Sequence, residues 1–61
     1  MKGLVLLNGI DGNTVYLNPD HIVSVEYSEA AKNTVVVLIT TDRLVVRDSP
    51  ETVALRVVTA L

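Results

Sequence analysis

The chain has 61 residues, and a chain of this size buries only about 60% of the surface that its unfolded form exposes. It has no cysteine and one histidine, which excludes disulfides, thiolate metal sites and a zinc cluster built from histidines. The net charge is −2, the pI is about 5.0, and the five basic residues are scattered. We therefore expect no general nucleic-acid or anionic-membrane surface.

The composition favours self-association. Hydrophobic residues make up 49% of the chain and the mean hydropathy is +0.44, which is high for a small soluble protein. Because disulfides and metals are excluded, oligomerisation is the remaining aid to stability, and we predict a homo-oligomer. The sequence contains no run of 18 apolar residues, so we expect no membrane span. Asn8-Gly9 interrupts any signal-peptide pattern at the N-terminus. We therefore expect a cytoplasmic protein.

The first segments predict a hairpin. Gly3–Asn8 indicates a strand, and Thr14–Leu17 indicates a second, short one. Asp11-Gly12 lies between them, and both residues tolerate the positive φ that hairpin turns require.

A turn and a third strand follow. Asn18–His21 predicts a tight turn or a single turn of 3₁₀ helix, because Pro19 cannot donate to a strand ladder. Ile22–Tyr27 alternates between apolar and polar residues. We expect the side chains of Val23, Val25 and Tyr27 to point inward.

The fourth strand, Thr34–Thr40, has five consecutive apolar residues. Such a run indicates a strand that is covered on both faces. Thr41-Asp42 predicts a tight reversal, after which Arg43–Arg47 pairs back with the fourth strand. In so short a chain, the second cover is expected to come from one helix or from other copies of the chain.

The last segment predicts an amphipathic helix of about 11 residues. Ser49 is the expected N-cap, with Pro50 at the first helical position and Glu51 in the first turn; Asp48 is a competing cap. Thr52 and Arg56 are expected to face solvent. The apolar stripe is predicted to comprise Val53, Val57 and Leu61, widened by Ala54, Leu55 and Val58.

These elements predict a single small domain over residues 1–61. Its fold is mainly β (α+β), a small twisted antiparallel sheet or partly closed barrel of about five strands followed by one C-terminal helix. One short helix cannot cover both faces of such a sheet. Alternate residues of a strand point to opposite faces of the sheet. We therefore predict that the residues on one of these faces form an intersubunit face or the inside of a small barrel. These residues are Leu4, Leu6, Val36 and Leu38.

No residue pattern indicates catalysis, a cofactor or a metal site. His21 beside Asp20 could serve as an acid or base, but no second histidine or paired nucleophile accompanies it. The carboxylates are explained as turn formers, strand-face residues or helix caps. We therefore expect a protein that has no enzymatic activity and binds no cofactor.

Arg43 and Arg47 are the candidate ligand-binding residues. They lie on the same face of the fifth strand, and two arginines can hold a phosphate or carboxylate. Repeated around an oligomer, they would form a ring of charge. The alternative is a solvated strand face balanced by Glu26.

The order of features resembles the SwrD/FlbD-like family of small flagellar and swarming motility proteins. The resemblance begins at Leu6–Gly9 and continues through Val15–Glu26, Thr34–Thr40 and Leu44–Val53. Its most diagnostic part is Leu17-Asn18-Pro19-Asp20 followed by Ile22. The resemblance implies a non-enzymatic accessory protein of flagellar motility, with no catalytic residues to assign.

Our leading hypothesis is therefore a non-catalytic, self-associating β-rich protein that acts through contacts with protein partners. Two alternatives are an oligomeric binding module for an anionic small ligand and a small structural protein of a phage or another assembly.

Overall fold

The computed structural model describes residues 3–61 and has five strands in two twisted antiparallel sheets, followed by one helix. The elements are β1 (Val5–Asn8), β2 (Thr14–Leu17), a 3₁₀ turn (Pro19–His21), β3 (Ile22–Ser28), β4 (Asn33–Leu38), β5 (Arg43–Val46) and α1 (Pro50–Ala60). The mainly β fold with a C-terminal helix is confirmed, and over these residues the strands form two sheets and no closed barrel.

The β1–β2 hairpin presents one face to the core. Val5 and Leu7 on β1 are fully buried, whereas Leu6 between them is exposed. The connecting loop closes through the Gly9 N–H, which donates to the Asn13 carbonyl at 2.8 Å. Gly12 adopts φ 91°, the left-handed geometry that its position in the turn predicts.

The second sheet has the order β3-β4-β5, with β4 in the centre. Val36 lies between Val25 on β3 and Leu44 on β5 and is completely buried. On the opposite face of β4, Val35 lies between Glu26 and Val45 and is only 6% exposed. The side chains of β1 and α1 in the core cover the Val36 face of β4. The Val35 face is less covered, because Val37 is half-buried and Ile39, just after β4, is 56% exposed. The expectation that other copies of the chain supply this second cover stays a prediction.

Three connections join the two sheets and the helix. Gly9 forms an isolated antiparallel bridge with Val46, and the Arg47 N–H donates to the Asn8 carbonyl at 2.8 Å. Helix α1 contacts both β1 and β3. The core between them comprises Val5, Leu7, Val36, Val46 and Val53.

A β-bulge changes the predicted alternation of β3. The register shifts between Ile22 and Ser24, so Val23 is the extra residue and is exposed. Ile22 and Val25 pack against the core, while Tyr27 is about half exposed. Of the three residues expected to point inward, only Val25 packs on the core: the bulge turns Val23 outward, whereas Tyr27 keeps the parity of Val25 and is half exposed near the end of β3.

Helix α1 begins as predicted. The Ser49 hydroxyl accepts from the Thr52 N–H at 3.1 Å, which makes Ser49 the N-cap. Val53 is buried, and Val57 and Ala60 pack beside it. Leu61 does not continue this stripe and is exposed. The inner side of α1 is therefore narrower than the sequence predicts.

Candidate interaction surface

An apolar groove of about 490 Å³ lies between β1 and α1. Leu4 and Leu6 line it from the β1 side, and Leu55 and Leu61 line it from the helix. All four side chains are exposed. The groove exists because strand alternation turns Leu4 and Leu6 away from the core that Val5 and Leu7 fill.

The exposed apolar surface extends beyond the groove onto the outside of α1. Val58 lies between Leu55 and Leu61 along the helix and is 69% exposed. Tyr16, which pairs directly with Leu6 in the hairpin register, is also exposed. We define the outer apolar surface as Leu4, Leu6, Leu55, Val58 and Leu61.

The four residues of the predicted intersubunit face do not share one surface. Leu4 and Leu6 lie in the groove, whereas Val36 is fully buried and Leu38 packs against the core. Their common strand parity does not place them together, because β1 and β4 belong to different sheets. An intersubunit contact at Leu4 and Leu6 remains a prediction. The helix residues Leu55, Val58 and Leu61 were assigned to the inner stripe and are found outside.

A polar cluster centred on Asp48 holds the groove's two walls in position. The Asp48 side chain is 3% exposed; its Oδ1 accepts from the Asn8 N–H at 2.9 Å, and its Oδ2 accepts from Arg56 Nη1. Arg56 Nη1 also donates to the Leu6 carbonyl at 2.8 Å. The Thr34 hydroxyl donates to the Asp48 carbonyl. Through these hydrogen bonds Asp48 links β1, β4 and α1.

Sequence reasoning assigned Arg56 to solvent, and this is wrong. Its side chain is 39% exposed and forms an ion pair with Asp48, eight residues earlier. No local pattern could reveal the cluster, because its members come from three elements that only the tertiary fold brings together. Arg56 also lines a second, polar cavity of about 440 Å³ near Arg47 and Thr52.

The structure gives Arg43 and Arg47 separate partners. Arg43 Nη2 lies 3.6 Å from Glu26 Oε1, and both side chains are more than half exposed. Arg47 lies just beyond β5, and its Nη2 donates to the Ile10 carbonyl at 3.0 Å. Four residues of extended chain separate them by roughly 13 Å. The two guanidinium groups are thus held apart in the protomer and do not form a cleft.

The other titratable groups are dispersed. His21 is exposed at the end of the 3₁₀ turn. Asp11 forms the hairpin loop, where the backbone and side-chain N–H groups of Asn13 lower the pKa of its carboxyl. Among residues 3–61, no group of three or more histidine, cysteine or acidic side chains is placed to hold a metal ion. In this same part of the chain, no helix has the length and apolar character needed to span a membrane.

Comparison with known proteins gives one result. A family model described as FlbD, flagellar and swarming motility proteins, matches residues 4–60. No curated protein and no solved structure matches the chain. The match covers β1 to the end of α1, and so includes the Asp48 cluster and the lining of the groove apart from Gly3 and Leu61.

Proposed function

Since the chain belongs to the family of flagellar and swarming motility proteins, we propose that it supports this motility as a non-catalytic, self-associating protein. It acts through protein contacts in the cytoplasm. The observation that carries the proposal is the outer apolar surface: Leu4, Leu6, Leu55 and Leu61 line one groove with exposed side chains, and Val58 adds a further exposed side chain on the helix. Grouped exposed apolar residues of this kind mark protein interaction sites.

The energetic scale of this surface is adequate for association. Burying the exposed parts of its five side chains would contribute on the order of 5–9 kcal/mol, at roughly 1.5–3 kcal/mol for each fully transferred side chain. Association costs about 4–15 kcal/mol in lost freedom. The two terms are comparable, so we expect reversible, concentration-dependent self-association.

The dispersed polar groups support a role without chemistry. A catalytic site needs a nucleophile or base held within hydrogen-bond reach of its partner. Four acidic side chains of residues 3–61 serve the fold: Asp11 closes a loop, Glu26 pairs with Arg43, Asp42 accepts from the Thr40 hydroxyl, and Asp48 joins three elements. The leucines of the groove, in contrast, are exposed and do not belong to the core.

The alternative functions have less support. Binding an anionic ligand through Arg43 and Arg47 requires arginines from several copies to converge, yet each guanidinium already has a partner within the protomer. A phage or assembly role has no observation in its favour, whereas the family match favours motility.

The proposal is tested by complementation in a cell that lacks the gene. Leu4→Asp places a charge on the outer surface, and we expect loss of swarming together with a shift to the monomer in light scattering. Ile39→Asp is the matched control, since Ile39 is similarly exposed but lies after β4 and away from the groove. His21→Ala tests for catalysis and should leave swarming unchanged.

Each outcome decides a part of the proposal. A Leu4→Asp protein that is folded, abundant and fully active would contradict action through this surface. A wild-type protein that remains at its monomer mass of 6.6 kDa up to millimolar concentration would contradict self-association. Loss of swarming in a folded His21→Ala protein would contradict the absence of catalysis.

A further inference from the structure

We infer that two copies of the chain pack against each other through the outside of α1, about a two-fold axis that passes beside Val58. This inference rests on the proposed self-association and specifies its geometry. Most oligomers of identical chains are symmetric, and a two-fold contact places one surface patch against the same patch of the second copy. Such a patch must therefore be complementary to itself.

The spacing on α1 meets this requirement. Leu55 lies three residues before Val58, and Leu61 lies three residues after it. Residues three apart are neighbours on a helix surface, so Leu55 and Val58 form one ridge. Leu61 is the C-cap directly after α1 and continues this ridge, since its N–H still bonds to the Val57 and Val58 carbonyls. A two-fold axis at Val58 brings the Leu55 side of one copy to the Leu61 side of the other, and Val58 meets its own counterpart.

The charges on α1 permit this approach. Its two charged residues are Glu51 and Arg56. Arg56 is directed to Asp48 and Leu6 of its own protomer. Glu51 lies seven residues before Val58, roughly 10 Å along the helix. No like charges are therefore brought together at the centre of the contact.

The area of the surface fits a small dimer. The exposed parts of Leu4, Leu6, Leu55, Val58 and Leu61 form an apolar area on the order of 500 Å², where a standard interface buries roughly 800 Å² per partner. Polar side chains at the rim, such as Thr59, supply the remainder. Val58 is the most exposed of the large apolar residues in residues 3–61, and in this arrangement it becomes the most deeply covered.

The absence of cysteine from the sequence makes cross-linking a clean test. We would introduce Val58→Cys and, as the matched control, Val23→Cys. Both positions are valines of similar exposure, 69% and 63%, but Val23 lies on the β3 bulge. Each variant is treated with a mild oxidant and with a short bis-maleimide, in native buffer and in urea.

We expect the Val58→Cys protein to form covalent dimers at least tenfold faster than the Val23→Cys protein in native buffer, and at the same rate in urea. Equal native rates, or faster dimerisation at position 23, would overturn the geometry. Light scattering separates this failure from that of the proposed function. A wild-type oligomer whose Val58→Cys form does not cross-link selectively refutes only the two-fold contact, whereas a wild-type monomer refutes self-association itself.

Discussion

The two sides of α1 carry similar aliphatic residues but have opposite environments. Val53, Val57 and Ala60 pack on the core, whereas Leu55, Val58 and Leu61 are exposed. The larger side chains are on the outside. Hydrophobicity alone therefore does not decide which side of this helix is buried.

Two features decide it. Strand alternation fixes Val5 and Leu7 as the inner face of β1, which creates the surface that receives Val53. The Arg56 ion pair with Asp48 then fixes the rotation of the helix about its axis, because Arg56 is also bound to the Leu6 carbonyl. The outer leucines are exposed as a consequence of this docking, and they become available to a second chain.

The largest effect should follow from placing a charge on the inner side of the molecule. Val36→Asp would bury an unpaired carboxylate at a site with no exposure, which we expect to destabilise the protomer by about 4 kcal/mol or more. Val58→Asp is its counterpart on the outer side and should fold normally while losing self-association. Circular dichroism and urea unfolding distinguish the two. Equal stability of both variants would remove the distinction between the sides.

The Asp48 cluster should be the next most sensitive. Asp48→Asn removes the charge that pairs with Arg56 and weakens the contact with β1. We expect it to lower the free energy of unfolding by roughly 2–4 kcal/mol, which is less than for a fully buried ion pair because Arg56 is partly solvated. Glu26→Gln breaks the exposed pair with Arg43 and should cost less than about 1 kcal/mol. Urea unfolding compares them. A smaller loss for Asp48→Asn than for Glu26→Gln would show that this cluster does not orient α1.

The helix cap should have a moderate effect. Ser49→Ala removes the side-chain acceptor for the Thr52 N–H and is expected to lower the free energy of unfolding by about 1 kcal/mol. Thr59→Ala, whose hydroxyl bonds within the helix to the Leu55 carbonyl, is the control and should change it little. A larger loss for Thr59→Ala would mean that the helix end near the groove matters more than its start.

The smallest effect is expected far from α1, in the turn after β4. Thr41 adopts φ 71°, which is strained for a β-branched residue. Thr41→Gly should therefore raise the stability by about 0.5–1 kcal/mol, measured as an increase in Tm, and leave self-association unchanged. Thr40→Gly removes a hydrogen bond to Asp42 and should lower the Tm. A decrease for both would show that Thr41 is not strained.

Local patterns predicted the elements well. Turn residues such as Asp11-Gly12 and Pro19 fix strand ends, and Ser49-Pro50 fixes the helix start, because each acts on its own backbone. The exposure of Leu4 and Leu6 also follows from strand alternation with Val5 and Leu7, and their role in an intersubunit contact stays a prediction.

Properties that depend on tertiary register could not be predicted. The bulge at Val23 depends on how β3 pairs with β4, and the ion pair of Asp48 with Arg56 depends on the docking angle of α1. Val36 and Leu38 were grouped with Leu4 and Leu6 by parity, but parity is meaningful only within one sheet. Lys32 and Thr41 adopt left-handed backbone conformations, which asparagine and glycine favour. Because lysine and threonine are unusual in this conformation, their residue types do not indicate it.

The most direct test of the account is isotope-filtered NMR on an equimolar mixture of labelled and unlabelled protein. If the outer apolar surface is completed by a second copy, the Val58 methyl groups of a labelled chain will show contacts to Leu55 and Leu61 protons of an unlabelled chain. The contrary result is a spectrum with contacts inside one chain only, together with the rotational correlation time of a 6.6 kDa monomer at millimolar concentration.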